Sequence, residues 1–83
     1  PNPFNPTTTI SYQLPVEGRV VLVVYNLLGQ KIVTLDEGEK RAGFHRAEFD
    51  GRSLASGVYV YELQTVDPQG HRFVARKAMV LLR

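Results

Sequence analysis

Cysteine and tryptophan are absent from this chain of 83 residues, methionine occurs once and histidine twice. Without cysteine there is no disulfide scaffold, no thiolate metal site and no catalytic thiol, and redox chemistry leaves the compartment open. Without tryptophan, a sugar-stacking platform loses its usual residue. His45 and His71 have no ligand partner at metal-like spacing and read as strand-edge or partly buried histidines. Ser11, Ser53 and Ser56 stand in no nucleophile elbow, and a catalytic triad would have to be gathered from scattered residues. Gly29, Gly38 and Gly43 are isolated, so no phosphate-cradling loop is present. No apolar run approaches the roughly eighteen residues of a membrane span. An excess of one charge sign is lacking too. The formal net charge is +2, and apart from Lys40-Arg41 and Arg76-Lys77 the cations are dispersed, which implies no nucleic-acid partner. There is no initiator methionine and no signal peptide, so the chain is expected to be a module of a longer protein.

What is present is a single small domain. A chain this short buries only about 60–65% of the surface its unfolded form exposes, which leaves a modest core. Pro1, Pro3 and Pro6 fix their own φ and press Asn2 and Asn5 into extended backbone, so residues 1–7 read as a stiff lead-in and residues 8–83 as the domain.

From there the pattern alternates in twos. Thr8, Ile10, Tyr12 and Leu14 share one face of a half-buried strand that Pro15 ends. After a turn at Glu17-Gly18, Val20, Leu22 and Val24 oppose Arg19, Val21, Val23 and Tyr25 in a β-branched run that disfavours helix. A tight connection at Asn26-Leu27-Leu28-Gly29-Gln30 leads into a strand from Lys31 to Asp36, and the two form a hairpin. The charged stretch Asp36-Glu37-Gly38-Glu39-Lys40-Arg41-Ala42-Gly43 reads as a solvated loop with room for a short edge strand. Its carboxylates match no calcium-loop spacing, and Lys40 and Arg41 would oppose an ion. Strand pattern returns from Phe44 to Asp50, where alternation alone leaves the buried face open. A turn-rich crossing runs to Gly57. A further strand follows from Val58 to Val66, then a β-turn at Asp67-Pro68-Gln69-Gly70, then a last strand from His71 to Leu82.

Short strands at regular spacing with no helical stretch predict an all-β fold, an immunoglobulin-like antiparallel β-sandwich of six to seven strands. Tyr59, two residues past Gly57, has the placement of a tyrosine corner, with its hydroxyl returning to upstream backbone and Leu54 packed beneath it. The second strand is apolar on both faces. Val21, Val23 and Tyr25 therefore either sit under another layer or form an exposed contact patch, for a protein or a glycan, extended by Phe44 if that ring faces the same way.

Pro1-Asn2-Pro3-Phe4-Asn5-Pro6-Thr7-Thr8-Thr9-Ile10, Val24-Tyr25-Asn26-Leu27-Leu28-Gly29, Leu54-Ala55-Ser56-Gly57-Val58-Tyr59 and Arg76-Lys77-Ala78-Met79-Val80-Leu81-Leu82-Arg83, in this order, resemble the type A C-terminal sorting domain of the type IX secretion system. The opening and core also resemble the immunoglobulin-like domain of the flagellar hook-capping protein. The first resemblance implies a removable, non-enzymatic address label without cofactor or metal. Such a label is carried by a secreted cargo through the periplasm of a Gram-negative bacterium and recognised by the outer-membrane export and attachment machinery. The recognition positions it implies are Pro1, Asn2, Pro3, Phe4, Gly57, Tyr59, Lys77 and Arg83. Ala78 makes the tail one residue longer than the commonest spacing, and Val21 and Val23 are more apolar than the family's usual second strand. Two other readings fit the same residues: a structural spacer of hook-cap type, and a carbohydrate-binding accessory module acting through Tyr25, Phe44 or Phe73.

Overall fold

The computed structural model describes residues 7–82, all of whose regular elements are strands. They are β1 (Thr7–Leu14), β2 (Gly18–Asn26), β3 (Lys31–Lys40), β4 (Gly43–Asp50), β5 (Gly57–Val66) and β6 (Arg72–Leu81). Every pairing is antiparallel, in a small sheet β1-β4 and a larger one ordered β3-β2-β5-β6. The larger order is that of strands C′, C, F and G in an immunoglobulin-type sandwich, and β1 and β4 stand where B and E do. The expected sandwich is thus realised with six strands.

The core lies between the sheets and follows the alternation. Ile10, Tyr12 and Leu14 enter it from β1, Val20, Leu22 and Val24 from β2, Phe49 from β4, Tyr59 from β5 and Leu81 from β6. Val20, Leu22 and Val24 are wholly buried, because β2 is paired on both sides and lies beneath the small sheet. Each such side chain contributes about 1.5–3 kcal/mol. The face that alternation left open on β4 is settled: Phe49 is 1% exposed and Phe44 80%, so His45, Ala47 and Phe49 point inward.

The charged stretch after Asp36 is edge strand for most of its length, and the loop is shorter than expected. β3 continues through it to Lys40, where Arg19 opposes Glu39 and Gly18 opposes Lys40, leaving only Arg41 and Ala42 to connect to β4. An edge strand with a solvated side tolerates such charges, and they discourage pairing with another chain. Two irregularities bend this edge: Leu22 opposes Asp36 but Val23 opposes Thr34, and Val24 opposes Val33 but Tyr25 opposes Lys31. Leu35 and Ile32 are left unopposed, and both pack partly against the core. The expected turn at Glu17-Gly18 is also revised. Gly18 is already in β2, and a Cβ there would stand 2.5 Å from the Val66 carbonyl oxygen, so this glycine permits close backbone approach.

Polar contacts fasten the apolar layers. The Tyr12 hydroxyl donates to Asp36 Oδ2 at 2.6 Å, joining the small sheet to the edge of the large one, while Lys40 Nζ lies 2.9 Å from Asp36 Oδ1. The Tyr12 ring stacks on His45 at a centroid distance of 5.3 Å. Burial opposes ionisation of Asp36, but the Tyr12 hydroxyl and the Lys40 ammonium outweigh it and hold the carboxyl below its ordinary pKa. Burial, then the same hydrogen bond, pushes the Tyr12 phenol well above its own. At the crossing between sheets, the Tyr59 hydroxyl donates to the Ala55 carbonyl at 2.7 Å, the expected tyrosine corner, with Leu54 packed against the core.

Gly18→Ala is expected to destabilise the fold by about 1–3 kcal/mol through the clash with Val66, whereas the exposed Val16→Ala should stay within about 0.5 kcal/mol; urea unfolding reads both. Tyr59→Phe should cost about 1 kcal/mol for the corner hydrogen bond, seen as a lower urea midpoint with an unchanged slope. Because Asp36 has a folded pKa below its unfolded value of about 3.9, its contribution is full above that pH and is lost as pH falls through the folded value. Acid titration of stability should therefore be shallower below about pH 4 in Asp36→Asn than in the parent chain.

Candidate recognition surface

The outward face of the large sheet has two unlike halves. Towards its middle, Val23 is opposed by Thr34 on β3 and Glu62 on β5, and Glu62 is opposed by Arg76 on β6. Glu62 is buried. Gln64 Nε2 donates to its Oε1 at 2.6 Å and Arg76 Nε to its Oε2 at 2.6 Å. The Gln64 hydrogen bond, opposed by burial and reinforced by Arg76, holds the Glu62 carboxyl below its ordinary pKa, so it stays ionised and paired at neutral pH. Arg76 is thereby engaged within the sheet's own surface.

Towards the carboxyl end of β6 the same face turns apolar. Tyr25 opposes Val60 and Val60 opposes Ala78, while Val58 opposes Val80. Val80 is 66% exposed, and Leu82, the next residue on this side of the chain, 61%. The turn at this end carries Leu27 and Leu28 into solvent. That turn is built by Asn26, whose Oδ1 accepts from the Leu28 and Gln30 amides at 2.9 and 3.0 Å, with Gly29 at φ 81° closing it. Three separate stretches of sequence thus supply one exposed apolar surface.

The residues singled out from sequence fall in different places. Of the candidate patch, Val23 is only 2% exposed and so belongs to no exposed patch; Val21 and Tyr25 are half-buried, and only Tyr25 adjoins the apolar end. Phe44 projects from the small sheet and does not extend this surface. Tyr25, Phe44 and Phe73 do not share a face, since Phe73 stands on the inward side of β6 opposite Thr65. Gly57 has φ 155° at the start of β5, and Tyr59 is buried with its hydroxyl satisfied. Lys77 is exposed on the inward side of β6, opposite Tyr61, on the other face from Arg76. Pro1, Asn2, Pro3, Phe4 and Arg83 lie outside the described residues. Val58, Val60, Val80 and Leu82 were not singled out as a surface. The signal was their alternation with inward Tyr59, Tyr61, Met79 and Leu81, which yields an outer apolar row only once β5 and β6 are paired.

No cluster of three or more His, Cys, Asp or Glu among the described residues is arranged to hold a metal ion. His45 Nε2 donates to the Arg41 carbonyl at 2.7 Å, and His71 Nδ1 lies 2.9 Å from Asp67 Oδ2 within the β5–β6 turn. No helix among the described residues is long and apolar enough to cross a membrane.

No curated protein and no solved structure matches the chain. A family model does. The one described as the secretion system C-terminal sorting domain matches residues 1–76, taking in the opening Pro1-Asn2-Pro3-Phe4 motif, the Asn26 turn and the tyrosine corner, and stopping at Arg76, before Lys77 and the end of β6. With nearly the whole sandwich inside that match, the chain belongs to the C-terminal sorting domains of the type IX secretion system.

Proposed function

We propose that this domain is a non-catalytic label joined to a larger secreted cargo and read in its folded state by the type IX outer-membrane machinery. It would act after passage through the periplasm of a Gram-negative bacterium, delivering the cargo to the cell surface or the medium. Pro1, Asn2, Pro3 and Phe4 would mark the seam with the cargo. The observation that carries the reading is the apolar end of the large sheet, where Tyr25, Val58, Val60, Ala78, Val80 and Leu82 share one side. A contiguous apolar surface on a domain this small is the expected mark of a protein contact. Gly57 and Tyr59 serve it indirectly: they turn the chain into β5 and so set Val58 beside Val80.

Deleting residues 76–83 would not test this cleanly. Leu81 is 6% exposed and belongs to the core, and a Cβ on Gly51 would meet it at 3.0 Å, so truncation removes a core residue together with half the partner of β5. Val80→Glu changes only an exposed side chain. It is expected to alter stability by less than about 1 kcal/mol and to abolish most surface delivery of a fused cargo, read by whole-cell labelling. Parental delivery by both Val80→Glu and Val58→Glu would overturn the reading.

A further inference from the structure

Arg76 is held in place by a single one of its donors. Its Nε donates to Glu62 Oε2, and Gln64 Nε2 donates to Glu62 Oε1, so both oxygens of that carboxylate are occupied. A guanidinium carries its N–H donors in a planar fork. Among the described residues the Nη1 and Nη2 groups of Arg76 have no acceptor, and its side chain is 66% exposed. Glu62 is buried and paired directly across from Arg76, and through it the guanidinium is fixed as well. Ordering so long a side chain costs rotamer entropy, and here that loss falls on folding rather than on binding.

The fixed fork borders the apolar end of the large sheet, two residues before Ala78 on the outward side of β6. On the far side of that end Lys31 is exposed opposite Tyr25, with no carboxylate of the described residues within salt-bridge distance. Glu37 and Glu39 stand at the other end of β3, opposite Val21 and Arg19. The surface made by Tyr25, Val60, Ala78 and Val80 thus lies between two cations, and the acid beside it, Glu62, is spent. Such a surface is complementary to a carboxylate set among apolar groups. The chain's own material does not bring one. Residues 1–6 contain no acid, and a second copy laid on the same apolar end brings another Arg76, another Lys31 and another buried Glu62. The receptor assigned above to this end is the occupant that can bring it.

We infer that the receptor meets this surface with an apolar patch containing a carboxylate, which binds the Nη1–Nη2 edge of Arg76 while apolar side chains cover Val60, Ala78 and Val80. The inference rests on the proposed reading of this surface and names the chemistry of its partner. Arg76 determines specificity, because a planar carboxylate matches the fork in two parallel hydrogen bonds. An apolar partner without the acid would strip water from the fork and return no acceptor, so it is rejected. Glu62 is a positioning residue.

The test is equilibrium binding of the labelled 83-residue chain to outer-membrane vesicles from a bacterium with type IX export, against vesicles from the same strain with that export system deleted. Excess binding to the first is the specific signal. Glu62→Gln combined with Arg76→Gln removes the ion pair, keeps the net charge and every apolar residue, and leaves an amide at position 62 to accept from Gln64. It should weaken specific binding about tenfold or more with little change in melting temperature. Arg76→Lys keeps the charge but not the fork; it should weaken binding about fivefold or more, and it tests the same edge should the double variant melt early. Parental affinity should fall with added salt more steeply than that of the double variant.

Parental affinity in the double variant or in Arg76→Lys overturns the inference. If Val80→Glu loses binding in the same assay, the apolar surface is still the one read, and only the carboxylate is refuted. Parental binding by both Val80→Glu and Val58→Glu is instead the failure of the surface itself. Equal binding to the two kinds of vesicle, which assigns the fork to lipid anions, overturns the inference, as does no binding by the parental chain. So do a dimer in sedimentation that the double variant abolishes, and loss of vesicle binding when the segment preceding Pro1 in a longer chain is attached. Those two outcomes assign the surface to a second copy or to the cargo.

Discussion

Two strands packed about 10 Å above four leave part of the larger sheet without a lid, and that mismatch of width governs most of this molecule. The small sheet covers β2 fully, so Val20, Leu22 and Val24 reach zero exposure, and a domain with few buried residues concentrates its stability there. It does not reach the Phe73 end of β6, and the inward side of that strand stays open. The same narrowness explains the polar fasteners. A lid of two strands is held by few apolar contacts, and Tyr12, reaching from β1 to Asp36 on β3, ties it to the far edge of the sheet below. The Tyr12 hydroxyl and then Lys40 keep Asp36 ionised against the cost of its burial, so the tie is a charge-assisted hydrogen bond, roughly twice as strong as a neutral one.

Strands β1, β2 and β5 were legible in the sequence because each carries its pattern within itself. Ile10, Tyr12 and Leu14 alternate with polar residues, and no neighbour is needed to see which side is buried. The tyrosine corner was legible for a similar reason, since Gly57, Tyr59 and the acceptor at Ala55 lie within five residues. The family resemblance rested on just these local motifs. What was not legible depends on neighbours. Val23 reads as outward from its own strand, yet it is flanked by Thr34 and Glu62 and is buried, as is Glu62, while Thr34 stays exposed. The charges after Asp36 read as a loop because nothing local says that Arg19 and Gly18 will pair with Glu39 and Lys40. Lys77 reads like Arg76, its neighbour in sequence, but strand alternation puts them on opposite faces, where one completes a cluster around Glu62 and the other is left unpaired.

The edges of the large sheet differ in a way that bears on association. β3 carries Asp36, Glu37, Glu39 and Lys40 along with two breaks in register and a glycine at φ 123°, all features that discourage addition of another strand. β6 has ten successive pairs with β5 and no break, and its outer positions include Val74 and Val80. One edge is defended and the other is not. The unbroken edge belongs to the strand that carries Arg76 and Lys77.

The apolar surface proposed for recognition has a property that a linear tail lacks. Tyr25 comes from β2, Val58 and Val60 from β5, and Ala78 and Val80 from β6; the pairs that bring them together are Tyr25 with Val60, Val60 with Ala78 and Val58 with Val80. Those from different strands do not meet until the strands have paired, and the pairings of β2 with β5 are long-range closures that form only with the core. A receptor that requires this surface therefore reads folding itself. An unfolded or truncated label would present the same motifs in sequence but not the surface, so quality control and sorting would be one binding event rather than two.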